Sequence, residues 1–306
     1  MKFLIRLFVL TILFLSQTNA VFSQTAKRDT GILNGAAYEI SIPANWNKKL
    51  VMYAHGYEQP AQPKNLLMPN KVLDVFLQRG FAVARSSYNR TGWALPEGID
   101  DTEGLRAFFE KKYGKPDSTF MTGHSMGGGI TIATIEKFGK VYNGGLALCP
   151  LSNRPAVQTK GAMDAMVVFN ALFPGIMPKV SDIMSGKAEP SFQGGQEGMR
   201  KKMYEIAMKL KGKEDLVAIF AQKFEVKVQD VPFSTLFAEG VLRDLQAQTG
   251  GNPWDNTNTL YVGFPDDFEL NQKVERLAAT SSATRLTISD RTGIVEKPLL
   301  MMHDVT

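Results

Sequence analysis

The chain has 306 residues, 44% of them hydrophobic and 21% charged, which is enough apolar material for one large core and excludes a disordered or fibrous protein. A formal net charge of +5 is too mild to indicate nucleic acid as a partner. One cysteine excludes an intramolecular disulfide framework, and three histidines with no pair at helical ligand spacing speak against a zinc site.

Lys2 and Arg6 precede the apolar run Leu7 to Leu15, and the short residues Ala20 and Ser23 follow. This is the layout of a secretory signal peptide, with cleavage expected after Ala20 or Ser23, and the run is too short to span a bilayer. Losing residues 1–23 removes Lys2, Arg6 and no acid, so the net charge falls from +5 to +3. The expected location is secreted or periplasmic, without stable membrane insertion after cleavage.

Strand-like runs then alternate with helical spacing. "KLVMYAHG" (49–56), "FAVARSSY" (81–88), "STFMTG" (118–123) and "GGLALCP" (144–150) are separated by segments such as Leu105, Phe108 and Phe109 that repeat on one helical face. Strands alternating with helices predict a mostly parallel sheet covered on both faces, over residues 24–150. Cys149, at the end of the last run, is expected to be an inert core thiol.

From residue 151 to 295 the period becomes helical, as in Met199, Met203, Ile206 and Leu210, then Leu216, Ile219, Phe220 and Phe224, then Leu236, Val241, Leu242 and Leu245. Basic residues Arg200, Lys201, Lys202 and Lys209 alternate with Glu197 and Glu205, the pattern of a solvated helix face. This segment is expected to be a helical insertion acting as a lid. "KPLLMMH" (297–303) returns to the sheet as a buried strand, so residues 296–306 complete the order.

The chemistry-bearing stretch is Gly123-His124-Ser125-Met126-Gly127, placed between a strand run and a helix. A serine on so tight a turn needs near-absent side chains two positions before and after it, which Gly123 and Gly127 provide. The turn lifts the Ser125 hydroxyl above the sheet edge and aims the next helix's amides at an attacked carbonyl oxygen. The Met126 N–H is one expected oxyanion donor, and Tyr57 N–H, in "HGY" after an earlier strand, is the second.

"GHSMGGG", "HGY", "SSYNRTGWALPEGIDDTEGL" and "KPLLMMH" together resemble the α/β-hydrolase superfamily, most closely its secreted bacterial esterases and prolyl-oligopeptidase-like members with a large helical insertion. The resemblance implies an acyl-enzyme formed on Ser125 and a small-molecule ester or peptide as substrate; no cofactor is expected, because the sequence carries no Gly-rich phosphate motif, and no metal. It also implies a chain order of serine, acid, histidine. His303 matches a loop histidine of that pattern, and the acid falls one residue past Thr306, with the triad histidine further on. On this reading the last strand and helix of the fold are missing, and the chain is a truncated hydrolase or a hydrolase-like protein without catalysis. Among residues present, His303 is the candidate base with Asp304 as a poorly spaced partner, while His55 and His124 are expected to be structural. A secreted peptidase and a non-catalytic binding protein are the alternatives to an esterase.

Overall fold

The structure, a computed structural model, describes residues 27–59, 67, 69–287, 289 and 291–303. The signal-peptide assignment and Asp304 lie outside the described residues.

The fold begins with a hairpin. Strands β1 (Lys27–Leu33) and β2 (Ala36–Ile42) pair antiparallel across Asn34 and Gly35, whose φ values of 52° and 84° are those of the tight turn that matches strand twist. The sequence reading did not place this hairpin. Next come β3 (Lys49–Ala54), helix α1 (Asp74–Gln78), β4 (Ala82–Ser86), α2 (Leu95–Tyr113), β5 (Ser118–His124), α3 (Met126–Phe138) and β6 (Gly144–Leu148). Helices α4 (Pro155–Leu172), α5 (Val180–Met184), α6 (Gly195–Leu210), α7 (Glu214–Lys223), α8 (Val231–Thr249), α9 (Asp267–Lys273) and α10 (Thr284–Thr287) follow before β7 (Leu299–Met302).

The sheet order is β1-β2-β4-β3-β5-β6-β7, antiparallel at β1–β2 and β2–β4 and parallel from β4 through β7. All five residues of β4 and five of the six in β3 are buried, as expected for parallel strands sandwiched between helices. β3 leads to β4 on one side and β5 leads to β6 on the other. Their carboxyl ends therefore diverge and leave a crevice, the usual ligand position in open α/β sheets.

On one face of the sheet Leu50, Met52, Met121, Leu105, Phe109 and Ile130 form a buried cluster, and Val51, Tyr53, Leu73 and Val83 form a smaller one. A third cluster, with Met163, Met166, Phe169, Phe173, Phe220 and Leu242, belongs to the helices after β6. Helix α8 reaches into both regions: Leu236 and Leu242 pack in the helical cluster, Val241 and Leu245 in the sheet cluster. It is fastened to the β4–α2 loop through the buried Asp244, whose carboxylate accepts from Trp93 N–H at 2.5 Å and from Gln248 Nε2 at 2.9 Å. Burial pushes the Asp244 carboxyl above its ordinary range despite those bonds. In the sheet, burial acts on Glu39 in the same direction, but the Arg85 guanidinium at 2.7 Å and Arg28 at 3.1 Å outweigh it and hold that carboxyl low.

Two expectations are corrected. β7 is a strand but not a buried one, because β6 is its one partner among the described residues; Leu300, Met301 and Met302 are exposed. Cys149 is exposed rather than in the core. β6 ends at Leu148, and the positive φ of Cys149, 41°, turns the chain out of the strand.

Candidate active site

Strand β5 and helix α3 meet at Ser125 with no intervening loop, and the serine takes up the change of direction itself, at φ 54° and ψ −121°. That is a strained conformation for a residue with a Cβ, and it persists because the surroundings over-determine it. Ser125 N–H donates to Leu148 O at 3.0 Å, and Ser125 O accepts from Gly129 N at 3.1 Å and Leu151 N at 3.1 Å.

Close approach explains the flanking glycines. A Cβ on Gly127 would lie 2.1 Å from Ala54 O and 2.6 Å from His55 O, and one on Gly123 would lie 2.4 Å from Gly127 O and 2.6 Å from Ala54 O. The carbonyl that ends β3 thus presses into the turn that ends β5. Both glycines are required by space.

The structure gathers several of the sequence-derived site residues around this turn. Met126 is the first residue of α3, so its N–H lies outside the helix ladder, while its side chain is buried in the sheet cluster. Tyr57 lies two residues past His55 in the loop after β3, and its ring lines the same cavity as Ser125. Its ring meets Phe237 of α8 edge-on, with centroids 5.3 Å apart. Burial, and then the nearby Asp244 carboxylate, push the Tyr57 phenol up, so it stays protonated.

None of the three histidines bonds to Ser125 Oγ, which has no hydrogen-bond partner among the described residues. His124 Nδ1 bonds Tyr53 Oη at 2.8 Å on a parallel ring, and its pKa is lowered by burial and then by His55. His55 stacks on Tyr88 with centroids 3.9 Å apart, bonds Gly56 O through Nδ1 at 2.8 Å, and is held below its ordinary range chiefly by burial. Both are anchored parts of the scaffold. His303 follows β7 at the carboxyl edge of the sheet, exposed, with β6 standing between β7 and β5.

Ser125 opens into a cavity of about 400 Å³ between the sheet and the helices after β6. Tyr57, Trp93 and Leu151 line its sheet end; Gly161, Ala162, Ala165 and Met166 of α4 and Phe237, Ala238 and Val241 of α8 form its walls; Phe220, Phe224 and Val226 contribute from α7 and its end. Trp93, Gly161 and Ala238 were not singled out from the sequence. The small residues at Gly161, Ala162 and Ala165, which recur at helical spacing, were the available signal. Among the described residues no His, Cys, Asp or Glu cluster could hold a metal, and no helix is long and apolar enough to cross a membrane.

No protein-family description and no curated protein sequence matches this chain. Several solved structures are similar to part of it. An esterase of Pyrococcus furiosus is 19% identical with a TM-score of 0.36, over 47% of this chain and 55% of that one. Est1E from Butyrivibrio proteoclasticus, with ferulic acid bound, is 17% identical with a TM-score of 0.34, over 44% and 57%. The acylaminoacyl peptidase of Pyrococcus horikoshii is 11% identical with a TM-score of 0.35, over 53% and 26%. The chain thus spans about half the length of the two esterase-like structures and a smaller share of the peptidase. Its own strand order, with an antiparallel second strand, five parallel strands and a serine elbow after β5, is that of the α/β-hydrolase fold.

Proposed function

We propose that the protein is a serine hydrolase of carboxylic esters with Ser125 as nucleophile. The observation that carries this reading is the strained serine at the mouth of an apolar cavity, held in place by backbone bonds to both sides. Strain at a half-buried serine facing a cavity has no packing rationale, whereas an acyl-transfer nucleophile needs that presentation.

In this scheme Ser125 Oγ attacks the ester carbonyl carbon as its proton passes to a general base. The Met126 and Tyr57 amides receive the oxyanion. The C–O bond to the alcohol breaks, the alcohol leaves with a proton, and water then cleaves the acyl-enzyme to release the acid and restore Ser125. His303 is the candidate base among the described residues, on the strength of its place at the carboxyl edge of the sheet. The helices after β6 serve as the lid, and the Lys2-Arg6 region with its apolar run supports export.

A fluorophosphonate probe tests the nucleophile: labelling of the wild type and none of Ser125→Ala supports the reading, and an unlabelled wild type sinks it. A second reading, a binding protein that keeps the fold without turnover, is favoured by the absence of a partner for Ser125 Oγ among the described residues. It predicts no labelling and ligand affinity unchanged in Ser125→Ala.

A further inference from the structure

We infer that the cavity between sheet and helices takes an uncharged, apolar acyl group of medium chain length, and that Gly161 sets the room available to it. The inference rests on Ser125 as the attacking group only for the word acyl; the cavity's selectivity is a separate matter.

Three observations carry it. First, among the described residues none of the side chains lining the cavity carries a charge, and the polar ones are amides or hydroxyls such as Asn153, Gln158 and Thr235. An ammonium group, as on a peptide N-terminus, would lose its water there without an ionic partner. Second, the cavity is long. It runs along α8 from Val241, which packs in the sheet cluster, to Ser234 in the first turns of the helix, a span of about 10 Å at 1.5 Å per residue. Third, Gly161 sits in the interior of α4, where glycine is a weak helix former. No close contact demands it, because a Cβ there would meet nothing within 4 Å. What its missing side chain leaves is open space in the cavity wall.

A chain that extends along such a wall gains about fourfold in affinity for each methylene removed from water. The experiment is titration calorimetry on the full chain carrying Ser125→Ala, with methyl butanoate, methyl octanoate and a glycyl-proline methyl ester as ligands. Methyl octanoate should bind at least tenfold tighter than methyl butanoate, and the peptide ester should bind weakest. Adding Gly161→Leu should lower octanoate affinity tenfold or more and change butanoate less than twofold, while Gly161→Ala keeps the preference. Should Gly161→Leu fail to fold by circular dichroism, Ala165→Leu, one turn along the same wall, gives the same readout. Equal binding of the two alkanoates, an unaltered preference in a folded leucine variant, or tighter binding of the peptide ester would overturn the inference. Because nothing is turned over, an unreactive Ser125 in the fluorophosphonate assay removes the esterase reading without deciding this one.

Discussion

The sheet and the helices after β6 use glycine in opposite ways. At the elbow, a Cβ on Gly127 would stand 2.1 Å from the Ala54 carbonyl, so backbone fills the space; on α4, a Cβ on Gly161 would meet nothing within 4 Å, so the space stays empty. One region has no slack and fixes where a hydroxyl points. The other keeps volume open and can change it without disturbing the first. Aim and capacity are thus set by different parts of the chain.

The sharpest way to break this contrast is at the elbow. Gly127→Ala should destabilise the protein by about 3 kcal/mol or more, since neither the Ala54 carbonyl nor the helix can yield without disturbing the sheet. Urea unfolding of the variant checks it, and an unchanged midpoint would mean the elbow has slack after all. Next in size is Asp244→Ala, which strands the Trp93 N–H and should lower stability by about 1–3 kcal/mol. If α8 is held to the sheet by this bond, the variant's tryptophan emission should also shift to the red.

The two regions should respond to pH with opposite sign. Glu39, whose carboxyl is held below its ordinary value of 4.5, contributes stability that is present above that value and lost as pH falls through the lower folded one. Asp244, raised above 3.8, contributes stability that is fully present below that value and lost as pH rises through the higher folded one. Urea midpoints measured across the carboxylate range should therefore flatten on the acid side in Glu39→Gln, and the loss on rising pH should shrink in Asp244→Asn. The smallest effect is expected at Gly161→Ala, a gain of about 0.5–1 kcal/mol from helix propensity in a position with room for a methyl group. A loss of stability there would show that the cavity wall is as tight as the elbow.

Much of the sheet was legible because its central strands are apolar throughout and its elbow has a steric signature that few other residues satisfy. Ser125, Gly123, Gly127 and the helical faces of α7 and α8 could be read directly. The β1–β2 hairpin was also signalled, by Asn34-Gly35, but its strands alternate with polar residues and β1 is largely exposed, which weakens the apolar pattern. Cys149 misled because a single positive φ reverses the side to which an apolar run delivers its last residue. β7 misled because an apolar run reports what a strand can bury, whereas its exposure depends on what lies beside it. The cavity was the least legible part. Each helix reveals its own apolar face, but the void exists only where Gly161 and Ala165 of one helix come to face Ala238 of another.

The Ala54 carbonyl carries one more consequence. Because that oxygen wedges against both glycines of the turn, the end of β3 and the end of β5 act as a single keyed joint, and Tyr57 hangs from the same joint three residues on. The key itself is made of backbone, although the Ala54 methyl is fully buried and leaves little room for a larger side chain. A residue inserted between Ala54 and Tyr57 would swing the key and the Tyr57 loop together, so this short connection should resist changes of length.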